Sequence, residues 1–317
     1  AAAVRNVTEV ARTLEQDFQM ERWDCAVGDS KSTTPVFPVG QTALALFELG
    51  DPFVGSAEKT GVHHLAVSVD DPAKASIQAA ENGVPSYLGP LELGLGGSSR
   101  LLLDPAATGG VITYLSEPLK LPTDRTLSAS GTVQRIDHVG VASSDNQLAM
   151  EVFSRRLGWS VESTQTDSEM TTTVETFTSD KYGVTHHTRQ SRIEGALRVA
   201  FITIGDCEIE FLQDLNQESQ KESSQRPASS QSQTEQAGST QQDQSVISRY
   251  IDSRGPGLHH IALKVSDIDG LLANLANAGH SLIDNVGRPG SRRARIGFIH
   301  PAALGGLLVH LVQREGI

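Results

Sequence analysis

The sequence predicts an α+β fold made of four βαβββ modules that are paired into two domains. Residues 61–116 align with residues 257–312 without a gap, and this repeat is too regular to arise by chance. Each copy begins with an alternating apolar stretch, continues with a helical segment and ends in strand-like runs that turn at Pro and Gly-Gly. A chain of 317 residues is long enough for two domains, each with its own core.

The two copies of the repeat share the residues that begin and end their elements. The stretch "GVHHLAVSVDD" in the first copy corresponds to "GLHHIALKVSD" in the second. Asp71 and Asp267 follow these stretches and are suited to cap a helix, and Gly83 and Gly279 are suited to end it. Both copies are therefore predicted to form a strand, a helix and three further strands.

A looser copy of the same module precedes each of these. Residues 135–163 are typical of a strand, a capped helix and a second strand. After a long loop, residues 196–213 are predicted to form a β-hairpin that turns at Gly205 and Asp206. At the start of the chain, "VARTLEQDFQMERWDCAV" and "FPVGQTALALFEL" suggest the helix and the final strands of another module.

These modules predict the division of the chain into domains. We expect a first domain at 1–118, a linker at 119–132 and a second domain at 133–317. Residues 216–244 are rich in Gln and Ser and contain almost no large apolar side chain. This tract buries too little surface to offset its ordering entropy, so we expect it to be disordered.

The composition argues against several classes of protein. A net charge of −12 argues against a general nucleic-acid binder, and no apolar run approaches the roughly 20 residues of a membrane span. Cys25 and Cys207 are too few for a disulfide framework and indicate a reducing compartment. We therefore expect a cytoplasmic protein, or one of the mitochondrial matrix if a targeting peptide has been removed.

Four polar side chains interrupt otherwise apolar strands of the second domain. They lie on the first and last strands of its two modules: His138, Glu210, His260 and His310. If a pseudo-twofold axis relates the modules, these strands converge and the four side chains meet in one cleft. Three imidazoles and one carboxylate favour a divalent metal, with Co, Mn, Zn, Ni or Fe as candidates. The alternative is a set of hydrogen-bonded polar residues in the core.

Three stretches of the second domain resemble a known family. They are "IDHVGVA", "SVISRYIDSRGPGLHHIALKVSDIDGLLANLANAG" and "RIGFIHPAALGGLLVHLVQ". They resemble the vicinal oxygen chelate superfamily, which includes glyoxalase I, methylmalonyl-CoA epimerase and the extradiol and 4-hydroxyphenylpyruvate dioxygenases. Over residues 135–313, without the Gln/Ser tract, the similarity is closest to methylmalonyl-CoA epimerase. The two-domain layout resembles that of 4-hydroxyphenylpyruvate dioxygenase.

The resemblance implies roles for the same four side chains. Family metal ligands fall at His138, Glu210, His260 and His310, although the family carries Glu at the last position. Replacing a carboxylate by an imidazole makes the site more positive and removes a group that serves as a base in relatives. Glu210 and His310 are then the candidates for the catalytic base.

Three classes of function follow from this reading. The first is a metal-dependent isomerase, epimerase or lyase that forms a metal-stabilised enolate of an acyl-CoA or 2-oxo acid. The second is a non-haem Fe(II) dioxygenase of the 4-hydroxyphenylpyruvate type, for which Glu210 would have to supply the carboxylate. The third is a metal-free protein that binds small molecules, as the drug-sequestering members of the superfamily do.

The first domain lacks most of the corresponding polar residues. His64 matches His260, but Tyr114 stands in place of His310 and Ala45 near the position of Glu210. One imidazole does not hold a metal, so we expect this domain to be degenerate and non-catalytic.

Other histidines and a group of arginines have competing interpretations. On a regular strand His63 and His259 would face away from the neighbouring ligand position, and His186, His187 and His300 are expected in solvated turns or loops. Three arginines are either an anion clamp for a small anionic substrate or a solvated edge: Arg292, Arg293 and Arg295. Monomer and dimer are both compatible with the sequence.

Overall fold

The computed structural model describes residues 1–55, 57–87, 89–120, 132–179, 184–215 and 245–314, and only the backbone of residues 167–195, 245 and 291. The tract at 216–244 and most of the linker at 119–132 lie outside the described residues, so the predictions made for them stay predictions.

The first half of the chain contains two βαβββ modules, as the repeat predicts. The first module consists of β1 (Ala2–Val4), α1 (Val7–Gln16), β2 (Trp23–Ala26), β3 (Thr33–Val39) and β4 (Thr42–Glu48). The second consists of β5 (Gly61–Val62), β6 (Leu65–Ser68), α2 (Pro72–Glu81), β7 (Glu92–Leu93), β8 (Ser99–Leu102) and β9 (Thr113–Ser116). The first strand of the second module is thus interrupted, at His63 and His64.

The second half contains the other two modules. The third module consists of β10 (Val133–Ala142), α3 (Asn146–Met150), a π-helical turn (Glu151–Arg156), β11 (Ser160–Ser179), β12 (Val184–Ile204) and β13 (Cys207–Asp214). After the connecting helix α4 (Ser245–Arg254), the fourth consists of β14 (Gly257–Val265), α5 (Ile268–Asn277), β15 (Arg288–Pro289), β16 (Arg295–Ile299) and β17 (Val309–Gln313). Three 3₁₀ turns complete the described elements: Pro52–Val54, Ser291–Arg293 and Pro301–Leu304.

The long loop expected inside the third module is a β-hairpin. The backbone of β11 pairs with β12 in antiparallel register from Ser160 with Thr203 to Ser179 with Val184. Runs of β-branched residues such as "TTTVETFT" favour extended backbone even without an apolar face. The prediction was wrong because it relied on hydrophobic alternation alone. The backbones of His186 and His187 lie on β12 rather than in a loop.

The eight strands of the second half form one sheet with internal symmetry. Their order is β11-β12-β13-β10-β14-β17-β16-β15. At its centre β10 and β14 are antiparallel, and each also pairs in parallel with the last strand of its own module. The first half repeats this order as β2-β3-β4-β1-β5 and β6-β9-β8-β7, with a break between β5 and β6.

In three of the four modules, a side chain at the end of the last strand accepts a hydrogen bond from the beginning of the module's helix. The Gln213 side chain accepts a hydrogen bond from the Asn146 N–H at 3.0 Å, and Gln313 accepts one from the Ile268 N–H at 3.0 Å. Glu48 accepts one from the Val7 N–H at 2.9 Å. These bonds satisfy N–H groups that the first helical turn leaves without partners, so each strand fixes where its helix begins.

The two halves share a core and direct polar contacts. Buried apolar residues of both halves form one continuous cluster between the sheets and the helices. Asp17, at the end of α1, lies 2.8 Å from His280 Nε2, which follows α5. On the other side, Asn82 at the end of α2 donates to the Arg156 carbonyl at 3.0 Å.

Helix α4 covers one end of the inner face of the eight-stranded sheet. Its Ile247, Tyr250 and Ile251 pack against a cluster that includes Val199 and Leu212 of β12 and β13. In the described parts of the chain, no helix combines the length and the apolar character that crossing a membrane requires.

Candidate metal centre

The four polar residues singled out in the sequence lie on the four central strands of the eight-stranded sheet. His138 is on β10, Glu210 on β13, His260 on β14 and His310 on β17. The register pairs His138 and His310 with the same residue, Ala262, and pairs Glu210 and His260 with Gly140. Because directly paired residues project from the same face of a sheet, all four side chains share the inner face.

The three imidazoles converge on one small volume. One ring nitrogen from each of His138, His260 and His310 lies within 4.8 Å of the others. Glu210 Oε2 lies 3.3 Å from His138 Nε2 and 3.5 Å from His260 Nε2. All four residues are buried, with 3% to 6% of their surface exposed.

Several buried nitrogen atoms at this centre have no hydrogen-bond partner among the described residues. They are Nε2 of His138, Nε2 of His260 and both ring nitrogens of His310. Leaving such atoms without a partner costs about 1–3 kcal/mol each, so native proteins rarely do so without a reason. A cation at the centre would satisfy one nitrogen of each imidazole, and the three-histidine cluster is compatible with a divalent metal.

Gly140 makes room for the His260 ring. A Cβ atom at this position would lie 2.0 Å from His260 Cε1 and 2.3 Å from its Nδ1, far closer than atoms approach in proteins. The imidazole therefore lies directly over the glycine backbone. This role of Gly140 could not be predicted from the sequence, although the residue lies in the motif "IDHVGVA".

Two β-bulges place a hydrogen-bonding residue beside two of the imidazoles. On β10 the register passes from Ile136 to His138, leaving Asp137 without a cross-strand partner. Asp137 Oδ2 lies 2.9 Å from His138 Nδ1. On β14 His259 is bulged in the same way, and its Nδ1 lies 3.0 Å from His260 Nδ1.

These bulges correct one expectation drawn from the sequence. His259 does not face away from His260, because a bulge breaks the two-residue alternation of a strand. His63 likewise lies 2.8 Å from His64 through their Nδ1 atoms, at the interruption between β5 and β6. His300 is exposed and caps a short 3₁₀ turn, as expected of a turn residue.

The charges at the centre favour a positive species in its middle. Burial would lower the pKa of His138, but the charge of Glu210 and the hydrogen bond with Asp137 raise it to about 9. Burial would raise the pKa of Glu210, but the neighbouring His138 and His260 hold it well below its ordinary value. Burial lowers the pKa of His260, and lowers that of His310 far below the ordinary value. The imidazole of His138 and the carboxylate of Glu210 thus favour each other's charged forms.

Two phenylalanines flank the centre symmetrically. Phe201 pairs across strands with Glu210, and its ring centroid lies 5.9 Å from that of His138. Phe298 pairs with His310, and their ring centroids lie 4.7 Å apart. Aromatic rings therefore stand on both sides of the four polar side chains, and we call the region between them the cleft.

The three arginines predicted as an anion clamp lie in different surroundings. Arg292 stacks on Phe201, 3.9 Å from the ring centroid, and forms ion pairs with Glu208 and Glu162. Arg295 is half-exposed and pairs with Asp269 at 2.7 Å, and Arg293 is exposed. The structure therefore brings only Arg292 next to the walls of the cleft. The anion clamp itself stays a prediction.

The equivalent place in the first half is filled by a different set of side chains. The register puts Ala45 where β13 carries Glu210, and Tyr114 where β17 carries His310. The Arg100 guanidinium lies 3.8 Å from the Phe53 ring centroid and 4.2 Å from that of Tyr114. His64 lies against the same tyrosine, with ring centroids 5.0 Å apart.

Comparison with known families agrees with this architecture. The family model of the glyoxalase/bleomycin resistance protein/dioxygenase superfamily matches residues 137–298, about half of the chain. The chain belongs to this superfamily, which is also known as the vicinal oxygen chelate superfamily.

Individual relatives are more distant. YqjC, an uncharacterized protein of Bacillus subtilis, is 33% identical over 72 residues, which are 23% of this chain and 51% of YqjC. The chain thus spans about half the length of the curated relative it matches.

Two solved structures illustrate the range of similarity. A methylmalonyl-CoA epimerase from Mycobacterium tuberculosis is 25% identical, with coverage of 60% of this chain and 95% of its own and a TM-score of 0.39. A mutant of 4-hydroxymandelate synthase from Streptomyces coelicolor is 16% identical, with coverage of 99% of this chain and 92% of its own and a TM-score of 0.57. The latter likeness shows that the fold of the whole chain, with both halves, has a precedent.

Proposed function

We propose that the chain is a metal-dependent isomerase, epimerase or lyase acting on a small anionic substrate of the acyl-CoA or 2-oxo acid type. The observation that supports this best is the buried convergence of three imidazoles, His138, His260 and His310, beside the carboxylate of Glu210. We assign all four as ligands of a divalent cation, for which Co, Mn, Zn, Ni and Fe are the candidates.

When bound, such a cation supplies Lewis acidity toward the carbonyl and carboxylate oxygens of a substrate. The chain's own residues orient the substrate and move the proton. Phe201 and Phe298 would confine it between apolar walls and exclude water from the reacting carbon. Confinement of this kind strengthens electrostatic interactions with the developing enolate oxygen.

Glu210 and His310 are the candidate bases. The C–H bond beside the carbonyl would break, and the carboxylate or imidazole would take the proton while the electron pair remains as the enolate. Return of the proton to the opposite face of that carbon gives epimerisation, and return to another atom gives isomerisation. His310 would act as the base only after leaving the cation, because a neutral imidazole that binds a metal through one nitrogen already carries a proton on the other. Once released, its free lone pair could take the proton, and neither of its ring nitrogens has a competing hydrogen-bond partner among the described residues.

Arg292 is the arginine best supported as a substrate contact. Its stacking on Phe201 brings a guanidinium to the wall of the cleft, and its buried Nε has no hydrogen-bond partner in the described structure. An anionic group of the substrate would compete with Glu208 and Glu162 for this cation. Arg293 and Arg295 would act only at the outer edge, where anions approach.

An Fe(II) dioxygenase is the second candidate. The two-half layout favours it, since 4-hydroxymandelate synthase has a similar fold over 99% of this chain. Two of the imidazoles with Glu210 would form the usual set of two histidines and one carboxylate. In either case we assign catalysis to residues 133–317 and regard 1–118 as a non-catalytic, degenerate domain.

Metal analysis with two activity assays tests this proposal. Purified protein would be loaded with each candidate metal and given a panel of acyl-CoA and 2-oxo acids in D₂O. The proposal predicts one metal per chain and incorporation of deuterium next to the carbonyl, without oxygen uptake. Oxygen uptake with Fe(II) instead favours the dioxygenase. Absence of metal binding, with a ligand held in the cleft, favours the metal-free binding protein and contradicts both enzyme proposals.

A further inference from the structure

We propose that Asp137 and His259 are positioning residues that fix the tautomer and ring orientation of His138 and His260 toward a bound cation. The inference rests on the metal site in the proposed function. Asp137 and His259 are not metal ligands themselves, and neither the hydrophobic alternation of the strands nor the sequence repeat predicted this role for them. The inference also explains why two of the three imidazoles are held differently from the third.

Position in the fold is the first argument. His138 pairs with Ala262, and Gly140 pairs with His260. A pseudo-twofold axis between these two pairs exchanges β10 and β14, so His138 is the counterpart of His260. Asp137 and His259 are therefore counterparts as well, and each is bulged out of the strand alternation. A bulge leaves one residue without a cross-strand partner and changes the direction of its side chain. Here both bulges turn the side chain of the bulged residue toward the neighbouring histidine.

The hydrogen bond of Asp137 determines the tautomer of His138. An ionised carboxylate only accepts hydrogen bonds, so the proton between Asp137 Oδ2 and His138 Nδ1 belongs to the imidazole. Deprotonation of that ring at its other nitrogen leaves the lone pair on Nε2, which is the atom that faces Glu210. A metal-binding imidazole needs this arrangement.

Asp137 is itself held in place from its other side. It is fully buried, and it pairs with Arg314 at 2.8 Å and with Arg135 at 3.3 Å. The carboxylate thus has a fixed position independent of the histidine. Because the two arginines hold the carboxylate, the carboxylate can in turn hold the imidazole ring of His138 in one orientation.

His259 has the corresponding role for His260 with a neutral group. Its ring packs edge-on against Tyr250 of α4, with centroids 4.7 Å apart, and Tyr250 donates a hydrogen bond to the Leu258 carbonyl. If His259 Nδ1 accepts from His260 Nδ1, the Nε2 lone pair of His260 is left for the cation. Helix α4 therefore supports a metal ligand through one intervening imidazole.

The difference between the counterparts predicts unequal effects. A carboxylate is a stronger acceptor than an imidazole, so Asp137 should contribute more to metal affinity than His259. His310 has no equivalent support, because neither of its nitrogens has a hydrogen-bond partner among the described residues.

The test is equilibrium binding of Co²⁺ in competition with a chelator, for the full chain, two test variants, one control variant and one double variant. We expect Asp137→Asn to weaken binding by roughly 10–100-fold and His259→Leu by up to about tenfold, as outer-shell changes usually do. His63→Leu is the matched control, because it removes the same Nδ1–Nδ1 pair in the first half, and it should leave the affinity within about twofold. Asp137→Asn leaves the buried Arg314 without its carboxylate partner, which could prevent folding. The double variant Asp137→Asn/Arg314→Gln removes that unpaired charge and tests the same hydrogen bond.

A second readout uses the wild-type chain alone. In the Zn²⁺-loaded protein, imidazole nitrogen NMR should place the proton of both His138 and His260 on Nδ1. Wild-type affinity in both the Asp137 and the His259 variants, or Nε2–H tautomers in the loaded protein, would overturn this inference and leave the metal site standing. Failure of the wild-type chain to bind any of the candidate metals would overturn the proposed function and this inference together.

Discussion

The two halves of the chain have the same backbone plan and different centres. In both, two antiparallel first strands lie at the middle and each pairs in parallel with the last strand of its module. The second half places His310 and Glu210 at the centre, where the first half has Tyr114 and Ala45. The centre of the second half thus holds three imidazoles that each have a buried nitrogen without a partner among the described residues, and the centre of the first half holds two aromatic rings around Arg100.

This difference separates what maintains the fold from what makes a site. Strand order depends on backbone pairing, and the side chains of Gln213, Gln313 and Glu48 accept hydrogen bonds from helix N-termini in modules of both halves. The candidate metal centre depends on four side chains and on the absence of one at Gly140. The backbone plan is therefore present in a half that lacks three of these four side chains.

The largest expected effect is the loss of metal affinity on removal of a histidine from the second half, compared with removal of its counterpart from the first half. His260→Ala should weaken Co²⁺ or Zn²⁺ binding by more than the roughly 100-fold that outer-shell changes reach, because it deletes a ligand. His64→Ala, at the matching position of the first half, should leave metal stoichiometry and affinity unchanged. Equal losses in the two variants, measured by chelator competition, would show that the halves do not differ as described.

The second-largest effect is expected from adding a Cβ atom to the backbone beneath the His260 ring. Gly140→Ala introduces a Cβ where the His260 ring lies, so we expect metal affinity to fall by about 10–100-fold, as it does when a ligand's surroundings are disturbed. The free energy of unfolding should fall by about 1–3 kcal/mol through overpacking. Gly89→Ala is the control, since a Cβ there meets no atom within 4 Å. Affinity titrations and denaturant unfolding would measure both, and wild-type affinity in Gly140→Ala would contradict the observed packing.

A purely structural effect is expected in the first half. Arg100→Met removes a buried guanidinium between Phe53 and Tyr114 and should lower the free energy of unfolding by about 2 kcal/mol. Metal affinity should not change. Arg22→Met is the comparison, because Arg22 is partly exposed in its ion pairs and should cost less than about 1 kcal/mol. Loss of metal in Arg100→Met, with the fold intact, would point to a functional link between the halves.

The smallest effect concerns the bonds that hold the helices. Gln213→Ala should cost about 1–2 kcal/mol, because Gln213 is buried and the Asn146 N–H would lose its partner. Glu48→Ala should cost only a few tenths, since the Val7 N–H lies where water can replace the carboxylate. Thermal or denaturant unfolding of the two variants would measure the difference. The reverse order would mean that burial does not set the strength of these bonds.

Much of this architecture and the four converging side chains could be predicted from the sequence. The repeat supplied the symmetry, and symmetry made residues as distant as His138 and His310 neighbours in space. The bulges at Asp137 and His259 could not be predicted, because a strand pattern assumes regular alternation. The role of Gly140 depends on the position of an imidazole from another strand, and most of the sequence of β11 and β12 lacks the apolar alternation that would predict strands.

Anomalous diffraction from crystals of the Zn²⁺- or Co²⁺-loaded protein tests the central claim most directly. We predict one strong peak in the second half, with Nε2 of His138, Nε2 of His260, one nitrogen of His310 and an oxygen of Glu210 at about 2.0–2.2 Å. No peak is expected beside His64. A fully loaded protein whose metal lies elsewhere, or is bound by none of these imidazoles, would contradict the account.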